Sequence, residues 1–203
     1  MKIFCIGRNY AKHAKEMNSD IPESPLVFMK PETAINRSGN MMYPPFTEDL
    51  HYELEVVLYI NKNGKNIPVD QAEEYYSEIG LGIDFTARDI QRKCKEKSHP
   101  WEKAKSFDDS AYLGEKYGKE KFISDDISFR LQKNGEVVQN ANTRDLIFDF
   151  NTLISYISGY FTLEPGDIIF TGTPEGVGPV QAGDLLEGIL MDELSLKLSI
   201  NTE

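Results

Sequence analysis

Two glutamates two residues apart, Glu53 and Glu55, sit in His51-Tyr52-Glu53-Leu54-Glu55, just ahead of the apolar run Val56-Val57-Leu58-Tyr59-Ile60. Side chains alternate along a strand, so His51, Glu53 and Glu55 are expected on one face. Two carboxylates on one face of so apolar a segment are costly unless a cation meets them. A metal ion is one such cation, and carboxylate oxygens favour Mg²⁺, Mn²⁺ or Ca²⁺ over zinc. Asp84 is the next candidate ligand, because it ends the apolar stretch Gly80-Leu81-Gly82-Ile83. The same pattern also reads as the solvated face of an antiparallel sheet, and Asp84 as a cap for the segment after it. Spacing alone does not bring the three residues together.

Three histidines occur, His13, His51 and His99. His13 and Glu16 stand at i and i+3, so a helix there would let them meet. A carboxylate orients an imidazole and favours its protonated form, which suits a base that takes a proton from water. A surface His–Glu pair of no consequence has the same spacing. Lys105 follows a polar segment and on its own is a solvated charge. Gly172-Thr173-Pro174-Glu175-Gly176-Val177-Gly178 comes after an apolar run. Such a turn either presents backbone N–H groups to an anion or is purely structural. Neither a P-loop nor a GxGxxG pattern is present.

The elements that must position these groups are mostly strands. Apolar runs at 2–7, 26–30, 53–60, 79–85, 167–171, 184–191 and 194–200 read as strands. Asn134-Gly135, between alternating segments over 126–140, marks a hairpin. Helices are expected over the polar stretch 86–97 and over 149–160, where Phe150, Leu153, Ile154 and Ile157 fall on one face. Asp149 or Asn151 is suited to cap the second helix. Leu163-Glu164-Pro165-Gly166-Asp167 is a turn leading into the next strand. Many strands with few helices predict a β-rich α+β fold, not a doubly wound sheet.

The 203 residues carry 33 acidic and 22 basic side chains, a formal net charge of −11. Such a surface repels phosphate backbones and argues against nucleic acid as a partner. No apolar run reaches the ~20 residues that span a bilayer, and the N-terminus reads as a buried strand. The two cysteines, Cys5 and Cys94, form no CxxC pair and are expected to be reduced structural thiols in a cytoplasmic protein. Neither a repeat nor a linker divides the chain, so one domain over 1–203 is expected.

Taken in order, the motifs resemble the fumarylacetoacetate hydrolase family, and within it the compact acylpyruvase branch. They are Gly7-Arg8-Asn9-Tyr10 with His13 and Glu16, and the strand His51-x-Glu53-x-Glu55. Asp84-x-Thr86-Ala87-Arg88-Asp89-x-Gln91 and Trp101-x-x-Ala104-Lys105-Ser106-Phe107 come next, then Thr171-Gly172-Thr173-Pro174-x-Gly176-Val177-Gly178. Related sequences often carry a second histidine where this chain has Tyr52.

The resemblance implies a mixed β-roll, a homodimer, and Mg²⁺ or Mn²⁺ held by Glu53, Glu55 and Asp84. It implies His13 and Glu16 on a lid that activates water. It implies contacts to a small 2-oxo acid from Arg8, Lys105, Arg88, Gln91 and the backbone at Gly172 and Thr173. The implied reaction is hydrolysis of the C3–C4 bond of a 3-acylpyruvate to pyruvate and a carboxylic acid. The alternative is decarboxylation or tautomerisation of oxaloacetate, or isomerisation of a 2-hydroxy-dienoate or 2-oxo-enoate. Selectivity is expected from the mouth, including the loop 17–25.

Overall fold

Hydrophobic patterning with a period of two governs the architecture. In the strand Leu54–Ile60, Leu54, Val56, Leu58 and Ile60 enter the larger apolar cluster, while Val57 enters a second cluster on the opposite face. The structure, a computed structural model, describes residues 1–16, 20–122 and 126–202. Of the mouth loop 17–25, residues 17–19 therefore lie outside the described residues.

Three sheets are built from the strands expected in the sequence together with several others. The seven-stranded sheet runs in the order Leu26–Lys30, Ile3–Gly7, Ile168–Phe170, Leu54–Ile60, Tyr76–Asp84, Ala111–Gly118, Ile35–Asn36. The five-stranded sheet runs Glu136–Asn142, Ser128–Lys133, Leu185–Leu190, Glu193–Asn201, Asn40–Met42. Gly178–Pro179, Leu50–Tyr52 and Thr86–Ala87 form a small third sheet. The larger cluster joins Leu54, Leu58 and Leu81 of the first sheet to Phe129, Leu186 and Leu198 of the second. Asn134 and Gly135 both have positive φ, 54° and 84°, as the tight turn between Ser128–Lys133 and Glu136–Asn142 requires. The strand Ala111–Gly118 is not expected from the sequence. Its residues, Ala-Tyr-Leu-Gly-Glu-Lys-Tyr-Gly, lack alternation, and its outer half is largely solvated.

The helix Phe150–Tyr160 buries Phe150, Leu153, Ile154 and Ile157, the face its periodicity predicts. Asp149 is its cap, accepting the Thr152 N–H at 2.8 Å. The helix expected over 86–97 is Arg88–Glu96. Its first two expected residues, Thr86 and Ala87, pair instead with His51 and Leu50. No helix among the described residues is long and apolar enough to cross a membrane. Cys5 and Cys94 are buried and unpaired with each other.

Candidate active site

The pairing of Leu54–Ile60 with Tyr76–Asp84 brings the three acidic residues together. The strands are antiparallel, with Leu54 opposite Ile83 and Glu55 opposite Gly82. One step further along, the Asp84 N–H donates to the Glu53 carbonyl at 2.8 Å. Asp84 is thus beside Glu53, and Glu55 lies diagonally across the same face. Gly82 leaves room on that face for the Phe170 ring, which a Cβ there would meet at 2.5 Å. One carboxylate oxygen from each of Glu53, Glu55 and Asp84 lies within 4.8 Å of the others. All three are at most 5% exposed.

His51, expected on this face, is not in the group. The strand is interrupted at Glu53, and His51 belongs to the small sheet, where its Nε2 lies 2.9 Å from Asp49 Oδ1. Tyr52 is buried in the larger cluster, away from the acidic group.

Three cations answer the carboxylates unequally. Lys105 ends the short helix Glu102–Lys105 and donates to Glu53 Oε2 at 2.7 Å and Asp84 Oδ2 at 2.8 Å. Arg88 donates to Glu53 Oε1 at 2.6 Å and to Gln91 Oε1 at 3.0 Å. Lys30 pairs with Asp84 Oδ1 at 2.8 Å, though without hydrogen-bond alignment, so that oxygen has no aligned donor among the described residues. Lys30 also donates to the Lys105 carbonyl and to Ser110. Lys30 belongs to none of the motifs legible in the sequence. Its only signal is a charge closing the apolar run Leu26-Val27-Phe28-Met29. Glu55 receives no ion pair among the described residues, only the Gly172 N–H at 2.6 Å.

These contacts set the protonation of the site. Burial alone would raise Glu53, but Lys105 and Arg88 outweigh it and hold its pKa far below the ordinary carboxylate value. Burial pushes Glu55 well above the ordinary value, and the Asp84 and Glu53 charges add to that. Burial disfavours the Lys105 ammonium, yet Asp84 and Glu53 prevail and raise its pKa.

The donor set fits a hard divalent cation. It offers three carboxylates, no sulfur and no imidazole among its members. Glu55, buried without an ion pair among the described residues, and Asp84 Oδ1, without an aligned donor among them, are groups that such an ion satisfies.

The glycine-rich turn presents backbone N–H groups to anions, and the anions are this chain's own. Gly172 N–H serves Glu55, and Gly176 N–H lies 3.2 Å from Glu16 Oε1. Gly172 has φ 107°, and a Cβ there would meet Asn9 Cβ at 2.6 Å, so only glycine fits. Asn9 fixes the turn by donating to the carbonyls of Thr171 and Phe148 and accepting from Phe148 N–H. Thr173 donates to the Leu54 carbonyl and accepts from Gln139.

His13 lies in the helix Ala11–Glu16, with Nδ1 3.3 Å from Glu16 Oε2. The spacing predicts that contact, but the expected preference for a protonated ring is reversed. Burial lowers the His13 pKa and outweighs the neighbouring carboxylates Glu53 and Glu16. His13, Arg8, Arg88, Gln91, Lys105 and Thr173 all line one cleft with Glu53 and Glu55. Its volume is about 40 Å³, room for about three water molecules. Lys95, which sequence patterning leaves as a helix-surface charge, lines it too.

A strand-rich fold with a buried three-carboxylate group beside a cation-lined cleft defines a candidate metal centre, and comparison with known proteins gives its family. The description "Fumarylacetoacetate (FAA) hydrolase C-terminal" matches residues 2–193, and the chain belongs to this family. It is 41% identical over 201 residues to "Oxaloacetate tautomerase FAHD1, mitochondrial" of Mus musculus, covering 98% of this chain and 90% of that one. It is 40% identical over 188 residues to "Oxaloacetate tautomerase YcgM" of Escherichia coli, covering 91% and 86%. Among solved structures it is similar to fumarylpyruvate hydrolase from Pseudomonas aeruginosa in complex with Mn²⁺ and pyruvate. That match has a TM-score of 0.94 and 38% identity, covering 100% of this chain and 90% of the other.

Proposed function

We propose that this protein is a divalent-cation-dependent enzyme that enolises small 2-oxo acids, with keto–enol tautomerisation of oxaloacetate as its reaction. The observation that carries the reading is the presence of a neutral base and a charged acid in one narrow cleft. Burial lowers the His13 pKa and favours the neutral ring, while the Lys105 amino group donates to Glu53 and Asp84 in the same cleft. The two relatives described as oxaloacetate tautomerases support the same assignment.

Glu53, Glu55 and Asp84 would hold Mg²⁺ or Mn²⁺. Once bound, the ion would supply Lewis-acid polarisation of the substrate's carboxylate and 2-oxo oxygens. Glu16 keeps the His13 proton on Nδ1, leaving the Nε2 lone pair to accept a proton from C3. As the C3–H bond breaks, its electron pair forms the C2–C3 double bond and negative charge moves to the 2-oxo oxygen. The Lys105 ammonium stabilises that charge and gives the oxygen a proton to form the enol, and the proton that His13 took from C3 replaces the one Lys105 gave up. Arg88, Gln91 and Thr173 orient the acid.

A second reading is the hydrolysis expected from the sequence. The His13–Glu16 pair favours it, as does the Pseudomonas relative described as a fumarylpyruvate hydrolase. Here His13 takes a proton from water, the hydroxide adds to C4, and the C3–C4 bond breaks with its electron pair going to a pyruvate enolate. Pyruvate and a carboxylic acid leave.

A single catalytic unit over 1–203, a homodimer and a cytoplasmic location belong to the same proposal. Sedimentation tests the dimer and cell fractionation the location, against a mouse relative described as mitochondrial. The deciding experiment assays the purified protein with Mg²⁺ on oxaloacetate, acetylpyruvate, fumarylpyruvate and a hydroxymuconate-type substrate. Accelerated loss of the oxaloacetate enol is expected. Cleavage of an acylpyruvate without tautomerisation would move the second reading to first place. Turnover of none would refute both.

A further inference from the structure

Arg88, Gln91 and Lys95 stand at i, i+3 and i+7 of the helix Arg88–Glu96, one stripe along its length. All three line the cleft. At 1.5 Å per residue, Lys95 lies ~10 Å along the axis from Arg88. Arg88 is committed to Glu53 at the acidic end. Lys95 marks the other end, where its ammonium rests 5.6 Å from the centre of the Trp101 ring.

Arg8 joins Lys95 there. It lines the same cleft, and its charge depresses the Lys95 pKa, an effect second only to burial. Among the described residues neither side chain makes an ion pair or a hydrogen bond, and Glu53 acts on Lys95 only at longer range, behind Arg8 and Arg88, although the chain has 33 acidic residues for 22 basic ones. Two neighbouring cations without a counterion repel one another, and a shared anion relieves that cost. Lys105 and Arg88 cannot supply a free charge at this end, since Glu53 and Asp84 already neutralise them. Arg8 is also held in an uncommon conformation, φ 59°. Such a backbone is uncommon for a non-glycine residue and persists only where its surroundings enforce it. The next residue, Asn9, is tied by its side chain to the turn that carries Gly172.

We propose that Lys95 and Arg8 form a subsite for the distal carboxylate of a 2-oxo dicarboxylic acid whose 2-oxo end lies at the acidic cluster. This rests on the proposed function for the 2-oxo end alone. The cleft then has two poles: a chelating end built from Glu53, Glu55 and Asp84, and a cationic end that selects a second negative charge. Lys95 is a specificity-determining residue, and a 2-oxo acid with a neutral tail gains nothing from it.

The test is titration calorimetry on the Mg²⁺-loaded protein with oxalate, which has only the chelating end, and with oxaloacetate. Lys95→Met is expected to weaken oxaloacetate ~10-fold, the loss of one charge-assisted contact, and oxalate less than twofold. Lys95→Arg is expected to keep most of the oxaloacetate affinity. Arg8→Gln is a second variant with the same expected selectivity. Equal weakening of both ligands, an unchanged oxaloacetate affinity, or no oxaloacetate binding by the wild type would overturn the subsite. If the wild type binds both ligands but turns over neither oxaloacetate nor an acylpyruvate, the proposed function fails. The ratio of affinities in the variants still judges the subsite.

Discussion

Glu55→Gln separates the cost of a buried charge from its use. Glu55 is 1% exposed and receives one hydrogen bond, from Gly172 N–H, with no ion pair among the described residues. Burying an unpaired carboxylate costs several kcal/mol after relaxation. One charge-assisted hydrogen bond returns about 1.5–3 kcal/mol. A net penalty on the order of 1–2 kcal/mol remains in the metal-free protein. The amide keeps an acceptor for Gly172 and spares the fold both the buried charge and the proton uptake that the raised Glu55 pKa entails, so metal-free Glu55→Gln is expected to melt higher than metal-free wild type, by about 2–8 °C for a chain this long. The cation reverses the order. At 100 times its Kd a ligand adds about 2.7 kcal/mol, so Mg²⁺ is expected to raise the wild-type Tm by about 5–10 °C and the variant's far less. Differential scanning calorimetry with and without Mg²⁺ reads both effects. An equal Mg²⁺ shift in the two proteins would show that Glu55 is not a ligand. A metal-free variant melting below wild type would refute the uncompensated-charge argument.

The pH dependence of the metal-free protein has a definite sign. Glu55 titrates higher folded than unfolded, so above the ordinary carboxylate range the folded state holds the extra proton and stability falls as pH rises through that window. Glu53, held low, contributes stability that is present above the ordinary carboxylate pKa and lost as pH falls towards its own. Urea melts across pH check both, and stability rising through the Glu55 window would contradict its placement. His13→Ala should lower turnover about 10²–10⁴-fold while calorimetric Mg²⁺ affinity stays within a few-fold. In the wild type the acid limb of kcat/KM should fall below the ordinary histidine pKa of 6.5. Gly82→Ala places a methyl against Phe170 and Val57 and should cost about 1–3 kcal/mol by chemical denaturation. Asp149→Ala removes the cap on Thr152 N–H and should cost about 1 kcal/mol.

What could be read in advance follows the range of the interactions involved. The helix expected over 149–160 is local, as is the i, i+3 contact of His13 with Glu16, and both are legible in the sequence, whereas the choice of Asp149 over Asn151 as the cap comes from the structure. Glu53 and Glu55 announce a need for a cation, but Asp84 joins them through a strand register that no spacing encodes. His51 shares their alternation and still leaves, because the strand changes sheets at Glu53. Lys30 and Lys95 look like any other lysine until tertiary contacts bury one and turn the other to the cleft. The His13 protonation preference was beyond reach for the same reason, since burial is a property of the whole fold.

The strand Ile168–Phe170 sits between Ile3–Gly7, to which it is parallel, and Leu54–Ile60, to which it is antiparallel. On the ribosome the two earlier strands emerge more than a hundred residues before the one that joins them. At roughly 5–20 residues per second their facing edges wait several seconds or longer without a partner. Both are apolar edges of the kind that recruit foreign strands. The wait extends to the acidic cluster, because Gly172, the donor to Glu55, is made two residues after that strand ends. Synthesis of the last sixth of the chain is therefore when the molecule both closes its main sheet and completes its site, and a nascent chain stalled before residue 168 has neither.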